Sequence, residues 1–332
     1  MVATIFVRTI FIYISYILKT IILEQNLFYL CSKKYMDIFY PYESKSKKLM
    51  NTLKIKIWGS RGSFPITELN ESFGGETSCV EVRTSDNDLI LLDMGTGLRN
   101  FGNSLIKEKS NIKDINIFLS HYHYDHILGF LMFVPLFIDK FNINIYGPGK
   151  SDDEIKTKFE AFLNPSFWPV DIDMLNAKIN FKHYSSGKIK INENLQIITC
   201  KHGHPGGANT LRVEFDRFSV TYVTDCEHPS SHLNQNIIDI AKGTDILIHD
   251  AQYTPEQMPK YKGWGHSSWE QCTDLALQAQ VKKLVLFHHN PDHSNSMLEK
   301  IEKDAQSKFT NTLSAREGME IFIPKEVLEA VI

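Results

Sequence analysis

Residues 119–130 read LSHYHYDHILGF and place three histidines and one aspartate within six positions. An apolar run, DINIFLS, leads into this cluster, and a second apolar run, ILGFLMFVPLFI, follows it. Burying four polar groups between apolar segments costs several kcal/mol unless they bind partners. We therefore expect ligands of a metal ion here rather than a structural cluster. The four side chains are His121, His123, Asp125 and His126.

The spacing of the cluster predicts how its side chains are presented. Side chains of a strand alternate with period two, so His121 and His123 leave the end of the DINIFLS strand on one side. Asp125 and His126 are expected at the start of the following helix. Because one zinc site needs only three or four ligands, four in six residues are enough to begin two adjacent sites.

Further ligands are expected downstream, where three polar residues each follow an apolar, strand-like run. His204 follows LQIITCKHG, Asp225 ends FSVTYVTD and His288 ends KKLVLFH. Asp225 can bridge two cations, because each carboxylate oxygen can serve one of them. His202 and His289 are alternatives to their neighbours. Together with the first cluster, these residues predict a binuclear metal centre.

Composition and charge narrow the class of protein. The chain has 332 residues, of which 42% are hydrophobic, so it can bury a substantial core. A net charge of −3 provides no general attraction to nucleic acid or anionic lipid and argues against a dedicated nucleic-acid binder. The five cysteines are dispersed and form no C-x-x-C pair, which predicts reduced thiols in a cytoplasmic protein.

The first 49 residues differ from the remainder of the chain. They are apolar and aromatic, but their longest uncharged internal run, at 9–18, is far shorter than the roughly 20 residues that span a bilayer. Three interpretations stay open: an over-extended start that precedes a true start at Met50, a membrane-associated amphipathic anchor, and a signal sequence. We therefore divide the chain into an extension, 1–49, and a folded domain, 50–332, with membrane contact only if the extension is real.

The folded domain alternates short strands with a few helices. Strand-like runs such as LKIKIWG, CVEVRT and FSVTYVTD are bounded by turn residues. Helical segments are predicted near 98–107, 231–242, 268–279 and 294–307. The run ILGFLMFVPLFI is predicted as a helix buried against a sheet and bent at Pro135. This pattern favours an α/β fold of four layers, with two packed sheets covered by helices.

The motif H-x-H-x-D-H and the later ligands resemble the metallo-β-lactamase superfamily. The resemblance runs from about residue 53 to the C-terminus and implies an αββα sandwich with the metals at one edge of the two sheets. It also implies two divalent ions, with Zn²⁺ favoured and Mn²⁺ or Fe²⁺ compatible with the same ligands. By this pattern His121, His123 and His204 hold one ion, Asp125, His126 and His288 hold the other, and Asp225 bridges them.

The same resemblance indicates which of two neighbouring histidines is the metal ligand. His204 is preferred to His202 because HPGGANTLR places an arginine eight residues after it, as in the phosphodiesterase branch. The strand-ending histidine of the family favours His288 over His289. The segment LLDMGTGL resembles an early Asp-x-Gly turn of the superfamily, which implies that Asp93 orients the ligands.

Two later motifs indicate to which branch of the superfamily the chain is similar. LIHDAQYT and GWGHSSWE resemble paired motifs of ribonuclease Z and of phosphoribosyl cyclic phosphodiesterases, in which a histidine outside the metal shell donates a proton. His266 occupies that position, and Asp250 would form a proton relay with it, although ribonuclease Z carries a glutamate there. The opening IKIWGSRGSFP is similar to that of cyclic-nucleotide-phosphodiesterase-like proteins.

The resemblance implies a hydrolase that cleaves a small or cyclic nucleotide-type phosphodiester. The ions would activate a water, Asp125 would orient it, and His266 would act as general acid. A ribonuclease Z-like endonuclease for tRNA 3′ ends stays open, although the stretch 151–177 is neither long nor basic as an RNA-gripping arm would be. A carbon-ester or thioester hydrolase and an inactive metal-bound scaffold stay open as well, and a homodimer is compatible with each.

Overall fold

The computed structural model describes residues 52–67, 72–108, 111–229 and 231–323. The predicted extension and its boundary with the folded domain lie outside these residues. Within the described ranges, every helix is too short or too polar to cross a membrane.

Among the described residues, two seven-stranded sheets form the centre of the domain. Both mix parallel and antiparallel strands. The first sheet contains β1 (Leu53–Gly59), β2 (Cys79–Thr84), β3 (Leu89–Leu92), β4 (Asp114–Phe118), β5 (Asn142–Pro148), β6 (Lys178–Tyr184) and β14 (Glu320–Ile323). The second sheet contains β7 (Gly187–Lys190), β8 (Leu195–His202), β9 (Ala208–Phe215), β10 (Phe218–Val223), β11 (Ile246–Asp250), β12 (Leu284–Phe287) and β13 (Thr312–Ser314).

Strand order brings several carboxyl ends to the same edge of each sheet. The first sheet has the order β14-β1-β2-β3-β4-β5-β6 and is parallel from β3 to β6. The second has the order β13-β12-β11-β10-β9-β8-β7 and is parallel from β10 to β13. Val223 pairs with His249, and Asp250 pairs with Phe287. The residues that follow β10, β11 and β12 therefore lie side by side.

Three apolar cores give the domain four layers. The largest is formed by residues of both sheets, including Ile55, Val82 and Val220. A second core lies between the first sheet and the helices at 97–107 and 152–162, and a third lies between the second sheet and the helices at 235–241, 269–278 and 295–308. The predicted αββα sandwich is confirmed. The helices are α1 (Gly97–Lys107), α2 (Tyr124–Ile127), α3 (Asp152–Phe162), α4 (Gln235–Ala241), α5 (Trp269–Gln278) and α6 (Asn295–Lys308).

Local capping signals account for the helix boundaries that the sequence predicts well. Ser268 and Ser294 precede α5 and α6, and each side chain accepts a hydrogen bond from a backbone N–H in the first turn. At α5 the side chain of Gln271 completes a capping box. The predicted segments 268–279 and 294–307 therefore agree with the observed helices to within one residue.

The predicted helix over ILGFLMFVPLFI is wrong. Helix α2 ends at Ile127, and the run continues as two 3₁₀ turns, Leu128–Met132 and Val134–Phe137. Phe133 between them is extended, with φ −83° and ψ 95°. Pro135 supplies no backbone N–H and its ring would clash with the carbonyl of Leu131, so a regular helix does not continue through this run.

Candidate metal centre

All seven predicted ligands lie at the edge where the two sheets meet. His121 and His123 fall between β4 and α2, directly before Asp125 and His126. The remaining three come from the second sheet. His204 lies two residues beyond β8, Asp225 lies two residues beyond β10 and His288 directly follows β12.

The first group comprises His121, His123, His204 and Asp225. Each offers one ligand atom, and these atoms lie within 4.8 Å of one another. The Nε2 of His204 is 3.1 Å from the Nδ1 of His123. The Oδ2 of Asp225 is 3.7 Å from the Nε2 of His121 and 3.5 Å from that of His204. This set matches the first predicted site together with the bridging carboxylate.

The second group comprises Asp125, His126, Asp225 and His288, whose ligand atoms also lie within 4.8 Å of one another. Here the Oδ1 of Asp225 is 3.0 Å from the Nε2 of His126 and 3.1 Å from that of His288. The two oxygens of Asp225 therefore face different groups. This is the arrangement that a bridging carboxylate requires.

Hydrogen bonds outside the cluster orient the imidazole rings. In four histidines, Nδ1 lies within hydrogen-bond distance of an oxygen outside the cluster, which fixes the ring and leaves the Nε2 lone pair to face inward. The Nε2 atoms of His121 and His126 are buried and have no hydrogen-bond partner among the described residues. Buried, orphaned ring nitrogens beside carboxylates suit a divalent cation. The oxygens are those of Ser120 for His121, Asp93 for His126, Gly265 for His204 and Gln252 for His288.

Asp93 organises this outer shell, as the sequence predicted. Its Oδ2 accepts hydrogen bonds from the Nδ1 of His126 at 2.7 Å, the hydroxyl of Ser120 at 2.8 Å and the hydroxyl of Tyr222 at 2.9 Å. Asp93, Asp225 and His288 also have positive φ angles of 62°, 49° and 57°. Non-glycine residues adopt this conformation at a cost, and such strain concentrates at functional sites.

The electrostatics of the cluster favour positive charge. Burial opposes protonation of His126, but Asp125 and Asp225 outweigh it and hold the pKa of His126 well above its ordinary value. Burial also disfavours the charge of Asp225, yet His288 and His126 keep its pKa well below the usual range. The carboxylates that stabilise a proton here would equally stabilise a metal cation.

His266 and Asp250 form a pair beside this cluster. The Nδ1 of His266 donates to the Oδ2 of Asp250 at 2.8 Å, and ligand atoms of both lie within 4.8 Å of those of Asp225 and His288. Burial disfavours a charged ring, but Asp250 overcomes it and raises the pKa of His266 to about 9. The short side chain of Asp250 therefore reaches His266.

A family model described as the beta-lactamase superfamily domain matches residues 89–289, a range that includes all seven predicted ligand positions. The chain belongs to the metallo-β-lactamase superfamily. This membership confirms the predicted family and makes the protein a hydrolase of that superfamily.

Known proteins of similar sequence and structure agree with this assignment. Ribonuclease Z of Picrophilus torridus is 27% identical over 316 residues, covering 84% of this chain and 98% of that protein. The metallo-beta-lactamase fold protein YhfI of Bacillus subtilis has a TM-score of 0.63 and 20% identity, over 82% of this chain and 99% of YhfI. A diphosphatase of the PhnP family has a TM-score of 0.59 and 18% identity, over 82% of this chain and 98% of its own.

Hydrogen bonds of the ring nitrogens distinguish the predicted metal ligands, His204 and His288, from the histidines next to them in the sequence. Both ring nitrogens of His202 are within hydrogen-bond distance of oxygens, Nδ1 of the Thr210 hydroxyl and Nε2 of the Thr224 carbonyl, so this ring is committed elsewhere. The Nε2 of His289 donates to the carbonyl of Ala315 at 3.0 Å, away from the cluster. The structure thus brings His204 and His288 into the centre and excludes their neighbours.

Three residues near this superfamily centre were not singled out from sequence. Gln252 holds the ring of His288, and the backbone N–H of Ser63 donates to the Oδ2 of Asp125 at 2.8 Å. A Cβ on Gly62 would lie only 2.4 Å from the Nδ1 of His288, so glycine is required there. Gly62 and Ser63 belong to the motif IKIWGSRGSFP. The spacing of this motif does not indicate that these residues contact side chains far away in the sequence.

Proposed function

We propose that this protein is a metal-dependent phosphodiesterase that acts on a small or cyclic phosphodiester. The observation that carries the proposal is the His266–Asp250 pair, with a hydrogen bond of 2.8 Å, beside a centre of imidazoles and carboxylates. A protonated imidazole next to such a centre suits a leaving group that must be protonated as it departs. Unactivated phosphodiesters have this need.

Two ions are proposed because Asp225 belongs to both ligand groups and directs a different oxygen at each. Five imidazoles and two carboxylates suit zinc, which binds histidine nitrogen and carboxylate oxygen in low coordination numbers. Bound cations would supply Lewis acidity, which activates water and neutralises the charge that develops on phosphate oxygens.

The chain's own residues would position the nucleophile and move the proton. Asp125 is held by the N–H of Ser63, so its carboxylate is fixed where it can orient an attacking water. His266 would donate its proton to the leaving oxygen, and Asp250 would hold the ring in the orientation that faces the substrate. Protonation of a poor leaving group by a positioned acid contributes typically about 10²–10⁴-fold.

A cavity of about 560 Å³ next to the centre supports an anionic substrate. His121 and His123 line this cavity together with Lys150 and Lys201, and Lys158, which also lines it, pairs with Glu154. Lysine ammonium groups attract phosphate by charge. We expect Lys201→Gln to raise KM for a charged phosphodiester several-fold while leaving kcat nearly unchanged, because the lysine does not touch the reacting bond. A matched control is Lys283→Gln, which lies outside this lining.

The second candidate is a ribonuclease Z-like activity on tRNA 3′ ends. It is favoured by the similarity to ribonuclease Z of P. torridus, because the alignment covers 98% of that protein. The segment 151–177 weakens this candidate for the present chain. It contains α3 and carries six acidic residues against two lysines. Proteins bind the RNA backbone by neutralising its phosphates with lysine and arginine side chains. An acidic segment repels these phosphates instead.

The test is a substrate panel with defined metals. The purified chain is loaded with zinc or manganese and assayed on bis-p-nitrophenyl phosphate, cyclic nucleotides, a phosphoribosyl cyclic phosphate, a tRNA precursor and a thioester. Turnover of a small phosphodiester that Asp225→Asn abolishes would support the proposal. Efficient cleavage of the tRNA precursor alone would favour the second candidate, and turnover of the thioester alone would refute both.

A further inference from the structure

A second cluster of metal-binding side chains lies beside the catalytic centre. We call it the thiol–imidazole cluster; it consists of Cys226, His228 and His249. Their exposed fractions are 0%, 4% and 0%, so all three are buried. One ligand atom of each lies within 4.8 Å of those of the other two. None of the three belongs to the seven residues proposed to bind the catalytic ions.

Both imidazoles in this cluster have an unpaired ring nitrogen. The Nδ1 of His249 donates to the backbone carbonyl of Asp250 at 2.9 Å, which leaves the Nε2 lone pair available. The Nε2 of His249 is buried without a hydrogen-bond partner among the described residues, and so is the Nε2 of His228. Buried polar atoms are nearly always paired, so two orphaned nitrogens next to a buried thiol require an explanation.

We propose that Cys226, His228 and His249 form a third metal site, which takes a thiophilic divalent cation of the zinc class. One thiolate and two imidazoles are a ligand set that zinc uses, and the thiolate selects against hard cations such as Mg²⁺. Ligand atoms around a tetrahedral zinc are roughly 3.3–3.8 Å apart. Small side-chain movements therefore bring these three ligands to bonding distance of a cation, and the thiol of Cys226 releases its proton when the cation binds.

One contact sets the affinity of this site below that of the catalytic centre. The backbone N–H of Asn234, which precedes α4, donates to the Nδ1 of His228 at 3.2 Å. This bond keeps the ring proton of neutral His228 on Nε2. A cation at Nε2 moves that proton to Nδ1 and opens the contact with Asn234. In the catalytic centre, by contrast, the Nδ1 atoms of four histidines already face oxygens outside the cluster.

At this position a bound cation would hold the ends of two neighbouring strands together. Cys226 directly follows Asp225, and His249 directly precedes Asp250. Strands β10 and β11 are parallel neighbours, and the N–H of Cys226 already donates to the Oδ2 of Asp250 at 3.1 Å. A cation held by Cys226 and His249 would clamp the ends of both strands. It would thereby fix the backbone of Asp225, the bridging carboxylate, and of Asp250, which binds His266.

Cobalt titration of the full-length chain tests this proposal. The catalytic centre has only nitrogen and oxygen ligands, so a thiolate-to-cobalt charge-transfer band in the near ultraviolet reports the third site alone. We expect this band to develop as a third equivalent of Co²⁺ binds. It should disappear in Cys226→Ser and persist in the matched control Cys200→Ser, whose thiol is half-buried on β8.

The outcomes are decisive in either direction. Absence of the band in the native chain after both catalytic ions have bound would overturn the proposal, as would a band that survives Cys226→Ser. If Cys226→Ser does not fold, His228→Gln provides the assignment, because it keeps the thiol and must still weaken the band at least tenfold. Elemental analysis of the zinc-loaded protein should show one equivalent fewer in the variant, whether or not any substrate is turned over.

Discussion

Replacing His266 by alanine tests the proposed general acid while sparing the seven ligand side chains. Burial works against the charged ring, but Asp250 raises the pKa of His266 to about 9. A pKa near 9 favours the protonated form at pH 7, whereas a histidine with an ordinary pKa near 6.5 would be only about one quarter protonated. The Asp250 carboxylate thus favours the form of His266 that holds the proton the leaving group needs.

The expected loss depends on the leaving group. For a phosphodiester that expels an alkoxide, kcat in His266→Ala should fall about 10²–10⁴-fold, which corresponds to roughly 3–5 kcal/mol of transition-state stabilisation. For a p-nitrophenyl ester the loss should be far smaller, because p-nitrophenolate departs without a proton. The assay measures kcat for matched alkyl and p-nitrophenyl phosphodiesters at saturating metal, and metal content is checked in the same samples.

The pH profile provides a second readout with a defined sign. A pKa raised to about 9 means that the acid form of His266 is present below that pH and lost above it. Native kcat on the alkyl substrate should therefore decline as pH rises through about 9, and His266→Ala should lack this decline. The control is His183→Ala, which removes a histidine also paired with an aspartate, Asp152 at 2.6 Å, but far more exposed.

Two results would refute this reasoning. Equal losses for the alkyl and p-nitrophenyl substrates would mean that His266 positions the substrate or the ions instead of donating a proton. An alkaline decline that persists in His266→Ala would assign the titrating group to another residue.

Three further predictions concern the metal centre. Asp93→Ala removes the acceptor that orients His126, so metal affinity should fall about 10–100-fold in competition with a chelator. Gly62→Ala introduces a Cβ 2.4 Å from the Nδ1 of His288, so that ring must move, and elemental analysis should show the loss of one ion; a full complement of metal would contradict the steric argument. Carboxylates raise the pKa of His126 and so favour protonation of its ring, which competes with a cation for the same nitrogen. Calorimetry in buffers of different ionisation enthalpy should therefore detect proton release on metal binding, and heats independent of the buffer would exclude it.

The sequence alone determined the elements whose signals are local. His121, His123, Asp125 and His126 follow from the period of a strand and the start of a helix, both of which are set by neighbouring residues. The serine caps of α5 and α6 are equally local, since each bonds to the first turn that follows it. Spacing also indicated that the remaining ligands follow strands, because polar residues after apolar runs mark a sheet edge.

Only the tertiary structure decided which of two neighbouring side chains enters the centre. His202 is excluded by bonds to Thr210 and to the carbonyl of Thr224, which lie on or beside other strands of its sheet. The contact between Gly62 and His288 joins residues more than 220 positions apart. Such contacts depend on strand order and pairing register, which no short stretch of sequence encodes. The same holds for the thiol–imidazole cluster, whose members become neighbours only because β10 and β11 pair in parallel.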